Sequence, residues 1–384
     1  DIFAVANILK VMSLHRVSDI YGPLPVLHFG ETENPYNSQE ECYMHFFETL
    51  DSAIAVLKDV VENNPDAKPL EEVDALYHGD YSKWLKLANS VKLRLAMRIC
   101  YVKPDLAKQY AMEAVRDGVM ETADDSALFQ SWGSITIINP LEKIWNGYSD
   151  TRMGASMDSY LNGYNDPRLP VYFQPVTEGD NKGEYRGVAN GMPNPQQDDY
   201  KAMSAPNVQE KSTDSPLRWM MASEVAFLRA DGAMRGWTAE MGGTAEEFYN
   251  KGIELSFLEN GLSADAAARY AADETSKPTD FTDVSAANTK YNISALGKIT
   301  IKWNAGASEE EQLERIITQK WIAMFPNGTE AWSEFRRTGY PLIFPVRSNY
   351  PTSGVDTNKQ IRRMVFPQSE YSNNGAAVQE AVKL

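Results

Sequence analysis

The residue types that make and break covalent bonds occur in this chain without the spacing that would let them act together. The nearest approach to a nucleophile elbow is Gly154-Ala-Ser156-Met-Asp158, which lacks the last glycine of G-x-S-x-G and precedes no strand-to-helix pattern. Neither a P-loop nor a dinucleotide-binding glycine motif occurs. His15, His28, His45 and His78 are scattered, so each reads as a surface or locally bonded residue and zinc is not expected. Asp180-Asn-Lys-Gly-Glu184 lacks the alternating oxygen ligands of a calcium loop. Asp124-Asp125 and Asp198-Asp199 are sequence neighbours, which says nothing about the two carboxylates a glycosidase sets across a sugar. With 53 acidic residues, such neighbours arise by chance. The expectation is no catalytic residue, no metal and no cofactor.

The informative class is aromatic. Trp84, Trp219, Trp321 and Trp332 fall in amphipathic helix patterns and read as core. Trp132, Trp145, Tyr148, Tyr164, Tyr172, Tyr185, Tyr200 and Trp303 lie in or beside irregular segments. Flat apolar sugar faces stack on such rings, which bring contact area and a polar tip with little rotamer entropy to lose. Asn146, Arg152 and Asn165 are neighbours able to hydrogen-bond sugar hydroxyls. The candidate ligand residues are Trp132, Trp145, Tyr148, Tyr164, Tyr172, Tyr185 and Trp303, with Asn146 and Arg152.

Charge narrows the ligand class. A formal net charge of −16 argues against nucleic-acid backbones and anionic membrane surfaces, both of which select basic patches. An apolar fraction of 43% is ordinary for a folded protein, and 384 residues can fill a large core in one domain or two. Cys42 and Cys100 both fall on helix faces and read as buried thiols rather than a disulfide. No run approaches the ~18 apolar residues of a membrane span.

The elements that must position the aromatics are helices. One runs from about Asp1 to Tyr21, with Val5, Ile8, Leu9, Met12 and Val17 on one side, and YGPLPV (Tyr21 to Val26) breaks it. Ser38 with Glu41 forms a capping box for a second, a third begins near Ser82, and Pro104 opens a fourth. Tyr81 to Gly118 reads as a tetratricopeptide-like pair, and Leu217 to Gly236 followed by Thr244 to Phe257 repeats the layout; ordinary antiparallel helices fit the same pattern. Between these halves, about 120 to 216 shows short helix candidates near Asn139–Tyr148 and Met153–Leu161. Then comes a run without helical period, punctuated by Pro167, Pro170, Pro175, Pro193, Pro195, Pro206 and Pro216. Its tyrosines set it apart from disordered sequence, and it reads as an ordered, loop-rich excursion on the helical scaffold. A second irregular stretch covers Ser276 to Ala307.

The cleanest helix pair lies at Ser308 to Pro345. Ser308 with Glu311 reads as a capping box, and Leu313, Ile316, Ile317, Lys320/Trp321 and Met324 recur at helical steps. Pro326 and Asn327-Gly328 supply the turn. A short second helix carries Trp332 and Phe335, ends with Arg336 and Arg337 in its last turn, and stops at Gly339 and Pro341.

Within this stretch ITQKWIAMFPNGTEAWSEFRRTGYPLIFP, with RRMVFPQSEYSNN at Arg362 to Asn374, resembles the C-terminal part of SusD/RagB-like proteins, most closely their second SusD-like branch. VANILKVMSLHRVSDIYGPLPV near the start and ASEVAFLRADGAMRGW in the middle also resemble the family, so the likeness covers nearly the whole chain. The resemblance implies an all-α fold, a right-handed stack of tetratricopeptide-like helix hairpins carrying a large irregular insertion. It also implies one intertwined unit over 1–384, with scaffold at about 1–118 and 217–384. The implied function is non-catalytic capture of an oligosaccharide on an arc of aromatics at the cell surface. The implied partner is a SusC-like TonB-dependent outer-membrane transporter. The membrane would be met only through an N-terminal lipid anchor upstream of Asp1. Peptide or other nutrient uptake by the same system, a glycan-active enzyme on a helical scaffold, and a tetratricopeptide-type protein scaffold are the competing readings.

Overall fold

The computed structural model describes residues 1–32, 34–192, 197–207, 215–348 and 354–384; Pro193 and Pro195 of the excursion lie outside them. Among the described residues the chain is mostly helical, with 51% helix and one two-stranded sheet, the all-α hairpin architecture that the sequence indicates. It divides into two compact units, Asp1–Met120 with Ile361–Leu384, and Glu121–Gln360.

In the first unit α1 (Ile2–Tyr21), α2 (Gln39–Asn63), α3 (Tyr81–Arg98) and α4 (Pro104–Arg116) each pack on the next. The Ser38–Glu41 box opens α2 as expected: the Ser38 hydroxyl accepts from the Glu41 amide, and the Glu41 carboxylate accepts from the Ser38 amide at 2.7 Å. Phe46, Phe47, Leu50 and Leu57 of α2 and Leu87, Val91 and Leu95 of α3 are buried. The fully buried alanines Ala107, Ala111 and Ala114 let α4 lie close to α3. The buried face of α1 differs from the apolar stripe, because Val17 is exposed whereas His15, Ser18 and Asp19 are buried. Asp19 is enclosed because it accepts the Tyr43 hydroxyl and faces Arg98 at 3.5 Å and His15 at 3.6 Å. Cys42 and Cys100 are buried thiols, as expected.

The second unit opens with β1 (Ala127–Phe129), which pairs antiparallel with β2 (Leu217–Met220), Phe129 opposite Leu217. Between them lie α5 (Pro140–Glu142), a π turn at Lys143–Gly147, α6 (Ala155–Gly163), α7 (Leu169–Tyr172) and α8 (Gln197–Tyr200). The expected helix at Leu217–Gly236 is corrected: its first residues form β2, and α9 (Ala222–Met234) starts only afterwards. Pairing with β1 and the stacking of Phe129 on Trp219, at 4.6 Å, override the local helical period there. Then follow α10 (Thr238–Met241), α11 (Ala245–Leu258), α12 (Ala264–Ala271), α13 (Glu309–Ala323) and α14 (Gly328–Thr338).

The core of this unit joins Phe227 of α9, Tyr249, Ile253 and Phe257 of α11, and Ile316 and Ile317 of α13. Gly252 makes the α9–α11 approach possible, since a Cβ there would meet the Phe227 ring at 2.6 Å. The excursion is tied down by polar contacts. Asp158 on α6 accepts from the Gly187 amide at 2.6 Å and from Asn162 at 2.7 Å. The completely buried Arg168 guanidinium donates twice to Asp166 and once each to Ser256, Gln319 and Tyr270.

Two expectations for Ser308–Pro345 are refined. Ser308 does cap α13, accepting from the Glu311 amide at 3.3 Å, but the Glu311 carboxylate goes to Arg315 at 2.7 Å instead of closing the box. Also, α13 packs mainly on α9 and only lightly on α14. What joins the three is a buried charge: Lys320 Nζ lies 3.3 Å from Glu334 and 3.8 Å from Glu330, both on α14, and 3.8 Å from Glu224 on α9. Gly339, in the left-handed region, ends α14 as expected. The C-terminal α15 (Gln368–Asn373) and α16 (Gly375–Ala381) belong to the first unit, where Phe366 packs against Tyr36 with ring centroids 5.1 Å apart.

Candidate functional site

Residues 130–148 are shaped by short-range bonds. Trp132 and Ile135 exchange both backbone hydrogen bonds, at 3.0 and 2.9 Å, and the Ser131 hydroxyl accepts from the Ile137 amide at 2.9 Å. Asn139 caps α5 through the Leu141 amide at 3.1 Å and donates to the Pro216 carbonyl at 3.4 Å, which anchors the segment next to β2. The chain then enters the π turn, closed by the Tyr148 amide donating to the Lys143 carbonyl at 3.0 Å. Such widened turns concentrate at functional sites because they re-aim side chains that a regular helix would place elsewhere.

The consequence is an apolar, aromatic surface. Trp132 is 37% exposed, Ile138 62%, Ile144 40% and Tyr148 59%. Among the described residues of this unit, the only other exposed large hydrophobics are Leu258 and Leu296. Asn146 is exposed as well, and Trp145 is half-buried. Trp145 lies parallel to Phe325, centroids 5.9 Å apart and planes 11° from parallel. Phe325 in turn touches Tyr172 and Phe173, at 4.9 and 5.0 Å. Lys143 Nζ sits over the Tyr148 ring at 5.8 Å.

The other sequence candidates are placed differently. Tyr164, Tyr172 and Trp303 are core side chains. Tyr164 meets Tyr160 edge-on at 5.8 Å and donates to the Ile299 carbonyl at 3.3 Å, and Trp303 packs on Tyr249 at 5.2 Å. Tyr172 ends α7 and Tyr164 directly follows α6, and burial pushes both hydroxyls above their ordinary range. Tyr185 is half-buried against the same core. The Arg152 guanidinium donates to the backbone carbonyls of Ser149, Thr151 and Lys201, so its hydrogens brace the loop. Asn165 donates to the Ser276 hydroxyl at 3.4 Å.

Two aromatics that the sequence reading assigned to the scaffold flank this segment. Phe325 sits in a segment whose Pro and Asn-Gly read as a helix stop. Trp219 had a helical period but lies on β2, stacked on Phe129. Aromatic stacks therefore flank both ends of 130–144: Phe129 with Trp219 before it, Trp145 with Phe325 after it. Among the described residues no cluster of His, Cys, Asp and Glu is arranged to hold a metal ion, and no helix is long and apolar enough to cross a membrane.

A family model described as SusD-like, the Susd and RagB outer membrane lipoproteins, matches residues 1–384. A chitin-binding SusD homolog from Flavobacterium johnsoniae superposes with a TM-score of 0.92 at 40% identity, over 99% of this chain and 77% of its own. A SusD-like protein from Bacteroides thetaiotaomicron gives a TM-score of 0.91 at 42% identity, over 100% of this chain and 78% of its own. A homolog from Bacteroides vulgatus gives 0.92 at 35%, over 99% and 76%. A search of curated proteins returned no match. The chain belongs to the SusD/RagB family of outer-membrane lipoproteins. Members of this family are non-catalytic binding proteins of the outer membrane.

Proposed function

We propose that this protein captures an oligosaccharide outside the cell and delivers it to a SusC-like TonB-dependent transporter, held at the outer membrane by a lipid anchor and working as one SusD-like unit. The observation that carries this reading is that one segment holds the exposed rings of Trp132 and Tyr148, the exposed Asn146 and the half-buried Trp145, which stacks on Phe325. Rings of this kind take the apolar face of a pyranose, while an amide beside them bonds its hydroxyls. Tyr172 supports this surface from the core through Phe325. The 40%-identical Flavobacterium relative described as chitin-binding makes N-acetylated glycans the first ligands to try.

A peptide ligand is the second reading: the exposed aliphatic side chains of Ile138 and Ile144 can take apolar peptide residues. Affinity gels and calorimetry with chitohexaose, other oligosaccharides and a peptide pool, alongside an assay for released reducing sugar, separate the readings. Retention of a glycan without turnover, lost in Trp145→Ala, supports capture. Product release would replace capture with catalysis, and retention of peptide alone would change the ligand class.

A further inference from the structure

We infer that Phe325 is a positioning residue for Trp145. The inference rests on the proposed binding role of Trp145 and adds how that ring is held. Trp145 stands on the π turn, and backbone geometry alone leaves its side chain a choice of rotamers. Phe325 restricts that choice by standing nearly parallel to the indole, 11° between planes and 5.9 Å between centroids, in an offset stack. Its own ring is held by Tyr172 and Phe173. Its backbone is held at the α13–α14 junction, where the Asn327 amide donates to the Met324 carbonyl at 2.6 Å. Tyr172 is anchored one layer deeper: its hydroxyl accepts from Asn260 at 3.3 Å, and Asn260 is itself bonded to the Ser256 carbonyl at 2.6 Å and to Arg218 at 3.1 Å. A continuous set of contacts thus runs from Asn260 through Tyr172 and Phe325 to Trp145. A ring already fixed loses less rotamer freedom when ligand docks than a ring that must be immobilised. Phe325 therefore strengthens binding without touching ligand, and freeing the indole weakens it about 3- to 10-fold.

The test uses Phe325→Ala, Phe325→Leu, which keeps apolar volume without a ring, and Phe325→Tyr, which keeps the ring. The indole N–H resonance of Trp145, identified by its loss in Trp145→Phe, is followed in ligand-free protein, and affinity is measured for chitohexaose. The expected result is a ring-current-shifted, sharp signal in the wild type and Phe325→Tyr. Phe325→Leu and Phe325→Ala should shift and broaden it and weaken chitohexaose binding about 3- to 10-fold. An unmoved Trp145 signal in Phe325→Leu overturns the inference whether or not chitohexaose binds. Affinity that falls in Trp145→Ala but not in Phe325→Leu also overturns it, and leaves the capture reading standing. Affinity unchanged in Trp145→Ala removes the indole from the site, so the capture surface fails while the resonance still decides whether Phe325 orients the ring.

Discussion

The indole of Trp145 and the phenyl ring of Phe325 lie nearly parallel in an offset stack, 5.9 Å between centroids, although one stands on an irregular excursion and the other follows the last turn of a core helix. This pairing connects the most exposed aromatic surface of its unit to the packed interior. It also separates side chains that face ligand from those that brace the surface, and that separation can be measured.

Asn146 and Arg152 should behave oppositely. Asn146→Ala removes an exposed amide and is expected to weaken oligosaccharide binding several-fold with thermal stability unchanged. Arg152 spends its donors on the carbonyls of Ser149, Thr151 and Lys201, so Arg152→Ala should lower unfolding stability by about 1–2 kcal/mol. Paired titrations and thermal melts check both.

Lys320→Met should be severely destabilising. The ammonium is 1% exposed and lies within 3.8 Å of Glu224, Glu330 and Glu334, so its removal leaves buried carboxylates facing one another. A loss of about 3–5 kcal/mol is expected in denaturant unfolding, more than an isosteric change in an apolar core would cost.

The capping box at Ser38 and Glu41 was legible in the sequence because both partners of each bond lie within one helical turn. The β-strand at Leu217–Met220 was not, because its pairing partner is Ala127–Phe129, far upstream, and a local period cannot report it. Trp145 stood out as an aromatic in an irregular segment. Tyr164, Tyr172 and Trp303 stood out for the same reason and proved to be core, because burial of a loop is decided by what packs over it. Arg152 looked like a sugar-binding donor until its carbonyl partners were in view. Phe325 lay in the stretch that resembles the family and read as scaffold, with nothing local to tie it to Trp145.

Glu314 gives a pH dependence of definite sign. Burial raises its pKa to about 6, with Glu311 adding to the rise and Arg315 opposing it, and its Oε1 has no hydrogen-bond partner. Because the folded value exceeds the unfolded one, the stability this group contributes is present below about 4.5 and is lost as pH rises through 6. Glu314→Gln should therefore gain on the wild type between pH 4 and pH 7.5, by up to about 1 kcal/mol once solvent screening of this half-exposed group is allowed for. A gap between their melting temperatures that stays constant over that range would contradict the assignment.

Gly163→Ala should loosen the excursion. A Cβ at this position would lie 2.3 Å from the Lys277 carbonyl oxygen and 2.7 Å from Pro278 Cα, and backbone cannot yield as a flexible side chain would. A loss of about 1–3 kcal/mol is expected in thermal or denaturant unfolding.

The central claim is that Trp145 forms the capture surface, and the most direct measurement is calorimetric titration of wild type and Trp145→Ala with chitohexaose and with each oligosaccharide that an affinity-gel screen retains. The expected result is binding by the wild type without release of reducing sugar, and at least a tenfold loss in Trp145→Ala, about 1.4 kcal/mol, with the fold retained. Equal affinity in the two proteins would contradict the account.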